Sequence, residues 1–137
     1  MGIDSHEGIR FTELNTYSIY RDLSTIPANV PFDISFAHQA RVNSDLVKLT
    51  VIDLVNGNHI LSQDFEVADD FWLIHQAQIA AHSGNLRITF TPIPTQGSNS
   101  GGNYIDSVSF KYPLPAPASM VLLFAGAYMF VRPRRGR

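Results

Sequence analysis

The sequence predicts an all-β fold: an antiparallel β-sandwich of the jelly-roll kind over residues 1–112, followed by a single C-terminal transmembrane helix. Three observations carry this. Apolar and polar residues alternate with period two over most of the body, the mark of half-buried strands. Turn-forming residues punctuate these runs at even, short intervals with no long helical pattern between them. Residues 116–131 carry no charge and stop at a cluster of arginines.

Taken in order, strands fit residues 9–14 and 18–23, and then a run in which Val30, Phe32, Ile34 and Phe36 alternate with Pro31, Asp33, Ser35 and Ala37. Residues 46–55 are apolar on both faces and read as a central strand. Asn56-Gly57 then leads into 60–67, and this pair predicts a hairpin with a type I′ turn, positive φ at both centres. Residues 71–79 fit a strand, although 74–81 fit a helical turn or two equally well. Leu86, Ile88 and Phe90 form the next alternating set. The last has Tyr104, Asp106, Val108, Phe110 and Tyr112 on one face. Turns fall at Ala28-Asn29, Asn43-Ser44-Asp45, Asn56-Gly57, Asp69-Asp70, Ser83-Gly84 and the glycine-rich 96–103, giving about eight strands around one core.

Composition excludes several classes. With 45% hydrophobic and 16% charged residues among 137, the chain is neither intrinsically disordered nor a coiled coil. It has no cysteine, which removes disulfides, thiol chemistry and cysteine-ligated metals. Charge is unevenly spread: residues 1–115 hold six basic side chains against all twelve acids, a net of −6, while 116–137 hold Arg132, Arg134, Arg135 and Arg137 and no acid, a net of +4. An acidic body is a poor partner for nucleic acid.

The basic end has its own logic. Pro113, Pro115 and Pro117 suit an extended spacer. From Pro115 to Val131 run 17 residues, about 26 Å as a helix at 1.5 Å per residue. That is a short span for a hydrocarbon core of about 30 Å. A core helix of the domain would show a polar stripe, and this run shows none. Arginines directly after it hold the C-terminus in the cytoplasm and leave the acidic body outside.

Proline motif, apolar helix and arginine cluster, in this order, resemble a PEP-CTERM sorting signal. Pro113-Leu114-Pro115-Ala116 is similar to its Val-Pro-Leu-Pro-Ala variant, with Tyr112 in place of the valine and Pro133 interrupting the arginines. The resemblance covers about 25 residues, 113–137. It implies an exported bacterial protein, membrane-anchored or at the cell surface, whose tail is recognised by an exosortase-type sorting enzyme. Export calls for an N-terminal signal peptide, and Met1 to Gly8 offer no basic region, apolar region or cleavage site. The expectation is an N-terminally truncated chain, or one whose start lies further upstream.

In the body, the blocks at residues 7–15, 19–23, 35–41 and 102–110 are similar, in order, to those of galactose-binding-like and carbohydrate-binding-module-like jelly rolls. That resemblance implies an opening strand before residue 7, so that this domain lacks its first strand. It also implies a structural Ca²⁺ between an N-terminal acid and the last strand, where Asp106 is the candidate ligand. No other cofactor is expected.

Candidate chemistry is sparse. His6, His38, His59, His75 and His82 have no metal-ligand spacing and read as structural or surface residues. No nucleophile elbow or phosphate loop occurs. Asp64, Glu66, Asp69 and Asp70 lie close together and would suit glycoside hydrolysis only if two of them flanked a cleft; a solvated face is the better reading. Trp72, the only tryptophan, reads as a core residue, with an exposed glycan platform as its alternative. The leading expectation is a non-enzymatic surface protein sorted through its tail. The alternatives are a carbohydrate-binding module using Trp72 or a polar groove, and a glycan-processing enzyme with an Asp/Glu pair.

Overall fold

The computed structural model describes residues 12–24, 26–41, 44–68, 71–94 and 103–112. The sorting motif Pro113, Leu114, Pro115 and Ala116, the predicted apolar helix 116–131 and Arg132, Arg134, Arg135 and Arg137 lie outside the described residues, as do His6, Asp69, Asp70 and most of the 96–103 loop. Among the described residues, no helix is long and apolar enough to cross a membrane.

Eight strands follow one another: β1 (Thr12–Leu14), β2 (Ile19–Leu23), β3 (Phe32–Ala40), β4 (Asp45–Asp53), β5 (His59–Val67), β6 (Leu73–Ile79), β7 (Leu86–Ile93) and β8 (Asn103–Lys111). They form two four-stranded sheets, ordered β1-β8-β3-β6 and β2-β7-β4-β5. Every pairing is antiparallel. Only β4 and β5 are neighbours both in sequence and in a sheet; every other connection crosses from one sheet to the other, the wrap of a jelly roll.

Alternation decides which side chains face inward. Phe32, Ile34 and Phe36 of β3, Ala77 and Ile79 of β6 and Ile105 of β8 meet Val47, Leu49 and Val51 of β4 and Leu86, Ile88 and Phe90 of β7 in one core. Phe36 ties the layers together, edge-on to Phe65 with centroids 5.2 Å apart and to Phe90 at 4.9 Å. The segment that fits helix and strand equally is a strand, because its His75, Ala77 and Ile79 pair with Phe36, Ile34 and Phe32 of β3. Residues 46–53 do lie in the middle of their sheet, but only alternate residues of β4 are buried; the outer face is half-exposed.

Two local expectations are corrected. Of Asn56-Gly57, Gly57 alone has positive φ, at 73°. The hairpin closes through a wider loop, in which Gly57 N–H donates to Asp53 O (2.8 Å) and Asp53 N–H to Asn58 O (2.9 Å). The Asp53 carboxylate accepts from Val55 N–H at 2.9 Å, holding a helical turn that a type I′ geometry lacks. The second correction concerns β8, where strict alternation fails. Its register against β3 shifts between Ser35 and Ala37, and Ser107 takes φ 51°. The extra residue resets the phase, so Phe110 packs inward with Ile105, while Tyr104 and Asp106 face outward.

Candidate functional site

On the outer face of the β1-β8-β3-β6 sheet, the register aligns four rows of side chains. They are Glu13, Tyr104 and Gln39; Asp106, Ala37 and Ile74; Ser109, Ser35 and Gln76; and Lys111, Asp33 and Gln78. Three residues of the first two rows are buried. Ala37 is 0% exposed, Gln39 6% and Tyr104 7%, although all three turn away from the core. Ile74 stands out at 46% exposure beside them. At the β1 end this face carries an ion pair between Arg41 and Glu13 (3.0 Å). Burial, with the nearby Glu13 carboxylate, pushes the Tyr104 phenol up, so it stays protonated and can donate.

Trp72 immediately precedes β6, next to Leu73, which pairs with His38. It is half-buried and not a member of the core, which corrects the core reading of this residue. The reason is positional: it sits where the chain turns into an edge strand, between Phe71 and Leu73, which are themselves exposed. This face therefore carries amide, hydroxyl and carboxylate groups around Ala37, with Ile74 at the β6 side. Such a surface can hydrogen-bond hydroxyls and pack against the apolar face of a ring.

The outer face of the other sheet differs. There Tyr20, Thr89, Thr50 and Ser62 form one row, flanked by charges that neutralise each other. Arg87 makes two bonds to Asp22 (2.7 and 2.8 Å) and lies 4.3 Å over the Tyr20 ring. Lys48 meets Asp64 at 3.7 Å. Asp64 and Glu66 are both exposed on this face. The structure thus puts them on an open surface rather than across a cleft from each other.

His38, His75 and His82 are held by packing or hydrogen bonds. His38 is fully buried; its Nε2–H donates to Asn103 Oδ1 (2.5 Å), since the Asn103 amide donates through Nδ2 to Leu46 O (3.0 Å). Burial pushes the His38 pKa down to about 4. His75 packs against Phe36 and Phe65 and is lowered for the same reason. His82 donates from Nε2 to Val30 O (2.9 Å) and accepts from Gly84 N–H at Nδ1 (3.1 Å). His59 is exposed. Among the described residues, no three of His, Cys, Asp and Glu come together as metal ligands. Asp106 is half-buried, with Oδ1 accepting from Ser107 N–H (2.6 Å), and among the described residues it joins no group of three acidic or histidine side chains.

Sequence reasoning singled out Trp72 and Asp106 but missed Gln39, Tyr104 and Gln76. Alternation alone could have put Gln76 and Gln78 on one face; bringing Gln39 and Tyr104 beside them required the strand order.

No protein-family model matches the chain, and no curated protein matches it in sequence. Solved structures do match in shape. A family 61 carbohydrate-binding module, TmCBM61, in complex with β-1,4-galactotriose, superposes with a TM-score of 0.57 at 18% identity, covering 80% of this chain and 75% of that one. The CBM22-1 xylan-binding domain of Xyn10C from Paenibacillus barcinonensis gives 0.55 at 16% identity, over 81% and 77%. A CBM4 structure gives 0.57 at 12% identity over 70% of this chain, which spans 61% of the CBM4 chain. At these identities the likeness is one of fold: the chain has the jelly-roll sandwich architecture found in carbohydrate-binding modules.

Proposed function

We propose that this chain is a non-catalytic glycan-binding module displayed at a bacterial surface, with the outer face around Ala37, Gln39 and Tyr104 as its sugar site. The observation that supports this most is the burial of Gln39 and Tyr104 on the outer face of the β1-β8-β3-β6 sheet, against which no second sheet packs among the described residues. The fold is shared with modules solved with β-1,4-galactotriose and with xylotriose. Trp72 stacks on the sugar ring, and Gln39, Gln76 and the protonated Tyr104 hydrogen-bond its hydroxyls. In this reading residues 113–137 carry the module: Pro113, Leu114, Pro115 and Ala116 form the motif met by the sorting enzyme, and Arg132, Arg134, Arg135 and Arg137 stop the helix at the membrane.

Affinity electrophoresis of the full chain through gels containing galactan, xylan or β-glucan tests the sugar site. Retardation is expected on at least one polymer. Trp72→Ala should abolish it while leaving thermal unfolding nearly unchanged, since Trp72 lies outside the core. No retardation on any neutral polysaccharide, or full retention by the variant, would overturn the reading.

A further inference from the structure

A concavity opens on a different part of the sandwich, between the sheets rather than on one of them. It has a volume of about 200 Å³ and is lined by Ile19, Tyr20 and Arg21 of β2, Ile88 and Phe90 of β7, and Val108 and Phe110 of β8. Its origin is the strand order. β2 is an edge strand, and β1 pairs with β8 only as far as Ile105, so Val108 and Phe110 lie beyond the end of that pairing. The β8 bulge turns Phe110 inward to form one wall.

Arg21 is the charged exception in this lining. It pairs with Ile88 across the β2–β7 ladder and so shares the inward side with Ile19, which pairs with Phe90. Arg41, Lys48 and Arg87 are each held by an acid, Glu13, Asp64 and Asp22 respectively. Among the described residues, the Arg21 guanidinium has no such partner and no acid lines the cleft. A cation at the mouth of an apolar slot complements one chemistry: an apolar body ending in a single negative charge. An apolar cavity of about 150 Å³ already holds a benzene ring.

We propose that this cleft binds an amphiphilic carboxylate, a short acyl or arylalkyl acid whose hydrocarbon part lies between Ile88, Phe90 and Phe110 and whose carboxylate pairs with Arg21. The guanidinium fork matches a carboxylate in two parallel bonds, which a hydroxyl cannot reproduce. The site is separate from the patch on the outer face and does not depend on the glycan reading.

Octanoate is the probe. The full chain, labelled at isoleucine methyl groups, would be titrated in lipid nanodiscs at neutral pH and followed by NMR. Residues 116–131 contain no isoleucine, so association with the tail is silent. Ile19 and Ile88 should shift saturably while Ile34 and Ile79, deep in the core, stay in place. Arg21→Gln should weaken octanoate by about fivefold, the scale of an exposed charge contact, and leave 1-octanol unaffected. Val108→Trp, which fills the mouth, should remove both responses, with unshifted Ile34 and Ile79 reporting an intact fold. Octanoate binding unchanged in Arg21→Gln, or no movement of Ile19 and Ile88, would overturn the proposal.

Discussion

His38 shows how one buried side chain couples the sandwich to pH. The bond to Asn103 sets its Nε2–H tautomer, and burial, outweighing that bond, keeps the ring neutral and lowers its pKa to about 4 from an ordinary 6.5. The unfolded chain therefore takes up a proton before the folded one does. Stability is fully present above pH 6.5 and is lost as pH falls toward 4; a displacement of this size corresponds to about 3 kcal/mol. His75, lowered in the same direction, adds to the loss. Urea midpoints measured between pH 7 and 4 should fall steeply for the wild type and less for His38→Gln, which keeps an amide donor toward Asn103 but does not titrate. Parallel curves would refute the assignment. Asn103 itself, 1% exposed, bridges His38 in one sheet and the Leu46 carbonyl in the other. Asn103→Leu leaves both groups unsatisfied and should cost roughly 2–4 kcal/mol by chemical denaturation. None of this was legible in the sequence, where His38 reads as one lone histidine among five: the partners of a buried polar group are set by strands 65 residues apart.

At the scale of the element, the strands themselves were legible, because alternation is a local signal and each strand buries one face. Their irregularities were not. The bulge at Ser107 leaves no mark on composition, and the Asn-Gly hairpin hides a competitor, the Asp53 carboxylate. Asp53 accepts from Ser83 N–H (2.8 Å) and Ser83 Oγ–H (2.5 Å) as well as from Val55, so one side chain holds the β4–β5 turn against the β6–β7 turn. The Ser83 bond, foremost, holds its pKa below the usual carboxylate range. The two glycines nearby are unequal. Gly57 has φ 73° with open space around it, so Gly57→Ala should cost about 1–2 kcal/mol, the strain of the left-handed region alone. At Gly84, φ 95°, an added Cβ would lie 2.5 Å from the Ile26 carbonyl oxygen. Gly84→Ala should therefore lower the melting temperature distinctly more than Gly57→Ala, and equal melting curves would contradict this account.

The whole molecule reads as a body and a tail with separate physics. Among the described residues, Asp22, Asp64 and Glu13 pair with cations and Asp53 holds a turn. The tail's arginines have no acid near them in sequence. Fused behind a signal peptide to a soluble reporter, residues 113–137 should hold it in the membrane fraction of a host without a sorting enzyme, and a soluble intact fusion would remove the membrane role. The jelly-roll class was legible from strand number and spacing. The candidate sugar site was not, because it arises only where β8 and β3 lie side by side, and their residues are far apart along the chain.

That adjacency has a consequence in time. β8 lies between β1 and β3, so among the described residues β1 has no other partner in its sheet, and β7 plays the same part for β2. During synthesis the β4–β5 hairpin can form as soon as it emerges, and β3 can pair with β6, but β1 waits for β8. Closure over such separations is slow, on the order of milliseconds to seconds for sandwiches of this kind. Pro113 follows Tyr112 directly, so the strand that completes the fold is also the one joined to the tail. A chain threaded through a membrane in the order of its synthesis would deliver this closing strand last, immediately before residues 113–137, the segment proposed to halt its passage.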